Sequence, residues 1–233
     1  MPTEHALTAP SPAGAPKPAL RPGERLTQPE FHDRYERMPG DTKYELIGGM
    51  VYMASPMRVD HGDHHLSVGC VLGVYSASTP GARPNDNSTV ILGSDSEPQP
   101  DLSLRILPEY GGNTRLNARR YLVGAPEWLG EISDSTESID LNEKRRDYEK
   151  YGVLEYVVVC VAQRQLRAFD LATGRELELP ADRIFRSQVF PGLWIDEQAL
   201  FDADLPRLLA TLNRGLATPE HAAFAQLLQQ RKG

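Results

Sequence analysis

The chain has 233 residues, 40% apolar and 24% charged, room for one α/β domain around a single core and a composition ordinary for globular proteins. Its formal net charge of -7 excludes a broad basic surface, so any nucleic acid must meet a local basic patch or be held through metal ions. No apolar run approaches the length of a membrane span, and no basic segment followed by an apolar one opens the chain. Cys70 and Cys160 lie far apart in apolar runs and read as two buried free thiols, which points to a reducing cytoplasm.

Residues 1–24 are rich in Pro and Ala and read as a flexible tail, dispensable for folding. A short helix starts at Thr27 as N-cap, with Glu30 three residues on. Runs 44–47 and 50–53 flank Gly48-Gly49 and predict a hairpin. A helix is expected over 61–76, with Leu66, Cys70, Val74 and Val71 on its inner face and Gly69 and Gly73 allowing close approach to a sheet. Strands are expected near 88–93, 100–106, 127–133, 155–162 and 164–170, with a polar loop or broken helix at 107–121 and a helix at 140–151. Strands near 175–179 and 187–194 and helices near 198–214 and 219–231 close the chain. This order predicts an α/β (α+β) fold, a mixed central sheet flanked by helices. The expected division is a tail at 1–24, one domain at 25–215 and a C-terminal helix at 216–233.

Three segments carry chemistry. In Gln99-Pro100-Asp101-Leu102, Pro100 can start a strand but not sit inside one, so Asp101 stands at a strand entrance. In Trp128-Leu129-Gly130-Glu131-Ile132-Ser133, an acid sits inside an apolar strand, where an unpaired carboxylate protonates or seeks a cation. In 140–152, Asp140 and Glu143 read as an acidic capping box and Gly152 as the residue past the helix end. At about 100° per residue, Leu141, Lys144, Tyr148 and Tyr151 share one face, so Lys144 needs a partner that Glu131 or Asp101 could supply. Two carboxylates on neighbouring strands can share Mg²⁺, and a lysine nearby can orient water or stabilise charge on phosphorus. His61, His64 and His65 include an i, i+4 pair able to chelate a metal, but no third ligand follows at convincing spacing. Arg115, Arg119 and Arg120 read as an exposed charge run.

With these residues in place, the sequence resembles the Uma-two family of restriction-endonuclease-like proteins, part of the PD-(D/E)XK superfamily. The matching features are Tyr44-Glu45-Leu46-Ile47-Gly48-Gly49, Met53 with Ser55-Pro56, His61, Gln99-Pro100-Asp101, Glu131-Ile132-Ser133, and Glu143-Lys144 through Tyr151-Gly152-Val153-Leu154-Glu155-Tyr156. The resemblance implies a restriction-endonuclease-like fold and a Mg²⁺ (or Mn²⁺) site. It also implies hydrolysis of phosphodiester bonds in nucleic acid, with DNA as the expected substrate, and a homodimer. It further implies Asp101, Glu131 and the Ile132 backbone carbonyl as metal ligands, Glu45 as an additional acid, Lys144 as the catalytic lysine, and His61, Gln99 and Tyr148 as accessory residues. The usual superfamily lysine, two positions after the second acid, is replaced here by Ser133, so the lysine is expected from the following helix. Phe224, Leu227 and Leu228 offer an apolar stripe for a dimer partner. Two other readings compete: a catalytically silent binding or scaffold protein on the same fold, and a zinc hydrolase built on the histidines.

Overall fold

The computed structural model describes residues 19–39 and 42–232. The N-terminal lobe pairs α1 (Gln28–Tyr35) with the hairpin β1 (Tyr44–Ile47) and β2 (Met50–Met53). The hairpin turn uses Gly48 and Gly49 at φ of 55° and 78°, a region costly for residues with a Cβ. Then come α2 (Val59–Ser78), β3 (Ala82–Asp86), β4 (Val90–Ile91), β5 (Leu102–Ile106), β6 (Arg115–Leu116), β7 (Leu122–Val123) and β8 (Trp128–Ser133). A π-helical turn, Ile139–Lys144, runs into α3 (Arg145–Tyr151), which ends at Gly152 with φ of 86°. The chain closes with β9 (Glu155–Cys160), β10 (Gln165–Asp170), β11 (Arg175–Leu177), β12 (Ile184–Arg186), β13 (Trp194–Asp196), α4 (Glu197–Phe201), α5 (Leu205–Leu216) and α6 (Pro219–Arg231).

The central sheet has the order β11-β10-β9-β8-β5-β3. Only the β8–β9 pair is parallel, joined through α3, so the sheet is mixed. Both middle strands are buried on both faces, which explains their near-continuous apolar runs. Alternation sends Trp128, Ile132, Val157 and Val159 to one face, packed with α2, α5 and α6. Leu129, Tyr156, Val158 and Cys160 go to the other face, with Tyr148 of α3 and Phe169. Glu131, two residues from Leu129, therefore lies on the α3 side.

Several expectations change. The α2 inner face carries His61, Val68, Val71, Leu72 and Tyr75, while Leu66 is 69% exposed. Leu66, Cys70 and Val74 lie on the opposite side, because the helix is apolar around most of its circumference and the sheet contact selects the phase. A Cβ at Gly69 would meet only Leu102 at ordinary contact distance, and one at Gly73 would meet nothing, so neither glycine is needed for close approach. The strand at 82–86 is not among the expected ones, and its Pro84 is tolerated because β3 is an edge strand. The predicted helix 198–214 breaks in two at Asp202-Ala203-Asp204, where Ala203 has φ of 54° and Asp204 caps α5.

Of the predicted tail, residues 1–18 lie outside the described residues, but 19–24 pack on the domain. Leu20 is buried beside Phe31, Leu46 and Val51, and Gly23 N–H donates to the Val51 carbonyl at 2.8 Å. The apolar stripe of α6 is mostly covered by its own chain: Leu228 is in the main core and Phe224 packs against it, leaving Leu227 exposed. The C-terminal helix packs on the same core as α2 and α5. Cys160 is buried and Cys70 only half-buried, both as free thiols.

Candidate active site

The α3-facing side of β8 opens into a pocket of about 130 Å³ lined by Glu45, His61, Asp101, Glu131, Ile132 and Lys144 among others. Each arrives for a local reason. Tyr44 and Leu46 face the N-terminal core, so alternation turns Glu45 the other way. Glu45 Oε1 accepts from Gln99 N–H at 2.7 Å, which ties the hairpin to the strand entrance. Asp101 sits just before β5, and its Oδ2 accepts from Ile132 N–H at 2.8 Å. Ile132 therefore contributes its N–H to Asp101.

Lys144 points inward and is 6% exposed. Its Nζ lies 3.0 Å from Glu131 Oε1, 3.1 Å from Glu45 Oε2 and 3.6 Å from Asp140 Oδ1. Tyr148 O–H donates to Glu131 Oε1 at 2.8 Å. Thr136 donates to the other oxygen of Asp140 at 2.5 Å. The structure thus brings Glu45, Asp101, Glu131, Lys144 and Tyr148 together, with His61 and Gln99 at the same pocket. Ser133 Oγ is buried without a hydrogen-bond partner and does not line the pocket. Arg115, Arg119 and Arg120 do not line it either, and Arg119 pairs with Glu36. The residue that sequence reasoning missed is Asp140. It does not cap a helix but sits inside the π-helical turn, buried. Its i, i+4 spacing to Lys144 was the available signal. Single π-type turns recur at functional sites because the extra residue re-aims side chains.

Electrostatically the pocket holds too much negative charge. Four buried or half-buried acids, Glu45, Asp101, Glu131 and Asp140, face one ammonium. Burial pushes the Glu131 carboxyl well above its ordinary range; Lys144 counters this, while Asp101, Asp140 and Glu45 add to it. Burial disfavours charge on Lys144, but the acids, Glu131 first, outweigh it and hold the lysine protonated. Burial alone would also raise Asp101, yet His61, Ile132 N–H and Lys144 together bring it below the usual carboxylate range. His61 is held above its ordinary value by Asp101, with burial opposing. Asp140 Oδ1 and Gln99 Oε1 have no hydrogen-bond partner. An all-oxygen donor set with surplus negative charge and orphaned acceptors fits a hard divalent cation.

The fold is similar to that of a crystal structure described as a "putative nuclease belonging to DUF820 from Anabaena variabilis ATCC 29413". The TM-score is 0.57 at 15% identity, covering 73% of this chain and 97% of that one. This likeness establishes the restriction-endonuclease-like fold expected from the sequence. No curated protein matches the chain. The family model Uma2, described as "Putative restriction endonuclease", matches residues 29–198, and with the mixed sheet and the acid–lysine pocket already in place, the chain belongs to that family.

Proposed function

We propose that the chain is a divalent-metal-dependent nuclease that hydrolyses phosphodiester bonds, with DNA as substrate. The observation that carries this reading is the buried cluster of four carboxylates around Lys144, which is short of positive charge. Asp101, Glu131 and the Ile132 carbonyl, with Glu45, are the groups that would hold Mg²⁺ or Mn²⁺. When bound, such an ion neutralises phosphate charge and acidifies a water.

The chain's own residues do the rest. Tyr148 holds Glu131 in one orientation through its hydroxyl. Gln99 N–H does the same for Glu45, and Ile132 N–H for Asp101. Lys144 keeps its proton among these acids, so it can donate to a phosphate oxygen where charge develops. Lys43 and Arg58 at the pocket rim supply local positive charge that the net charge of -7 does not. A homodimer would place two such sites on two strands, and the free thiols fit a cytoplasmic setting.

The silent-scaffold reading is favoured by one observation: Lys144 is already engaged by the chain's own acids at 3.0 and 3.1 Å. The deciding assay incubates purified protein with plasmid and single-stranded DNA, with Mg²⁺ or Mn²⁺, beside Lys144→Met. Cleavage by wild type and not by the variant is expected. DNA binding with no cleavage by either would move the protein to the scaffold reading. Light scattering at micromolar concentration tests the dimer, and a monomer there would reject it.

A further inference from the structure

The zinc reading of the histidines lacked a third ligand in the sequence, but the fold supplies one. His61 and His65 lie one turn apart on α2, and Asp101 reaches them from the entrance of β5. One ligand atom from each lies within 4.8 Å of the others. His61 Nε2 is buried, has no hydrogen-bond partner and stands 3.6 Å from Asp101 Oδ1. That separation is too long for a hydrogen bond. It is close to the roughly 3.4 Å expected between two donors about 2.1 Å from one tetrahedral ion. Asp101 Oδ2 is already used by Ile132 N–H, so Oδ1 is the oxygen left for a ligand. His65 Nε2 pairs with Asp86 Oδ1 at 2.7 Å, and ligation through Nδ1 would make that carboxylate the partner that orients a ligating imidazole and sets its tautomer.

We propose that His61, His65 and Asp101 form a second cation site, selective for a borderline divalent transition ion such as Zn²⁺ or Co²⁺. Two imidazoles and one carboxylate suit such ions, whereas Mg²⁺ prefers oxygen donors. Asp101 then serves both this nitrogen-bearing site and the oxygen-rich cluster around Lys144, and links the two. The site does not depend on hydrolysis, so it stands or falls apart from the nuclease reading.

The test is Co²⁺ titration of chelator-treated full-length protein, followed by visible absorption, with Mg²⁺ binding read by thermal shift on the same samples. Wild type is expected to bind about one equivalent of Co²⁺ with the intense visible bands of nitrogen ligation. His61→Ala and His65→Gln should each weaken Co²⁺ binding ~100-fold, and His65→Gln should leave the Mg²⁺ shift in place. His65→Gln is the gentler change, and circular dichroism without metal checks that each variant is folded. Co²⁺ binding that survives both substitutions, or that is lost only in Glu131→Gln, would overturn the proposal by placing the ion among the acids. Absence of DNA cleavage by wild type would sink the nuclease reading and leave the Co²⁺ result to be read on its own.

Discussion

Two of the regions that bury carboxylates in this molecule treat them in opposite ways. At the C-terminal end, Glu155 accepts from Ser187 O–H at 2.5 Å and from Gln188 N–H at 2.8 Å. Glu197 accepts from Leu166 N–H and from both arms of Arg183, and Asp196 caps α4 while pairing with Arg207. Every acid there has its own donors. Around Lys144 four acids share one cation, and Asp140 Oδ1 has no hydrogen bond. A carboxylate that only holds the fold together has hydrogen-bond donors of its own. A charge kept for chemistry is left short of a partner, at a cost the rest of the core must offset.

The largest effect that would sharpen this contrast is removal of the shared cation. Lys144→Met should lower unfolding free energy in metal-free buffer by about 3–5 kcal/mol, because the buried acids lose the ammonium paired with them. It should also reduce DNA cleavage about 10²–10³-fold. Arg183→Met should cost less than about 1 kcal/mol, since Arg183 is half-exposed and Glu197 keeps Leu166 N–H. Similar losses in urea unfolding of the two variants would erase the distinction.

Next comes pH. Burial raises Glu155 from its ordinary 4.5 to about 7, with Ser187 and Gln188 N–H opposing. The folded state therefore binds the proton more tightly than the unfolded chain. That stabilisation is complete below pH 4.5 and is lost as pH rises through about 7. At ~1.4 kcal/mol per pH unit the loss approaches about 3 kcal/mol. Glu155→Gln should flatten this slope, and wild type and variant with parallel stability profiles between these limits would remove the effect.

A slightly smaller increment should come from the cation itself. Mg²⁺ or Mn²⁺ at 100 times its Kd should raise stability by about 2.7 kcal/mol. Asp101→Asn should abolish the increment, and Glu197→Gln should keep it, as read by thermal or urea unfolding. An increment that persists in Asp101→Asn would move the ion elsewhere. The smallest effect belongs to Lys150→Met. Lys150 pairs with Asp95 on the exposed face of α3, and its loss should change stability by less than about 0.5 kcal/mol and leave cleavage unaltered.

Local chemistry made much of this protein legible from the sequence. The Gly48-Gly49 hairpin, the helix end at Gly152 and the acid inside β8 follow from backbone freedom and strand alternation, which act over a few residues. The inward face of Lys144 followed from helical phase, because only one side of that helix is apolar. The phase of α2 did not follow, since Leu66 and Val74 are as apolar as Val68 and Leu72, and only contact with Leu102 and Trp128 distinguishes the two sides. Leu20 was hidden for the same reason: a lone leucine among prolines has no periodicity until the hairpin provides a surface. Asp140 reads as a cap in sequence and proves to be a buried partner of Lys144 inside a π-type turn. Asp101, 36 residues beyond His65 in the chain, meets the histidines only once α2 packs on the sheet. Burial and long-range approach decide which polar groups lose water, and neither is encoded in the spacing of neighbours along the chain.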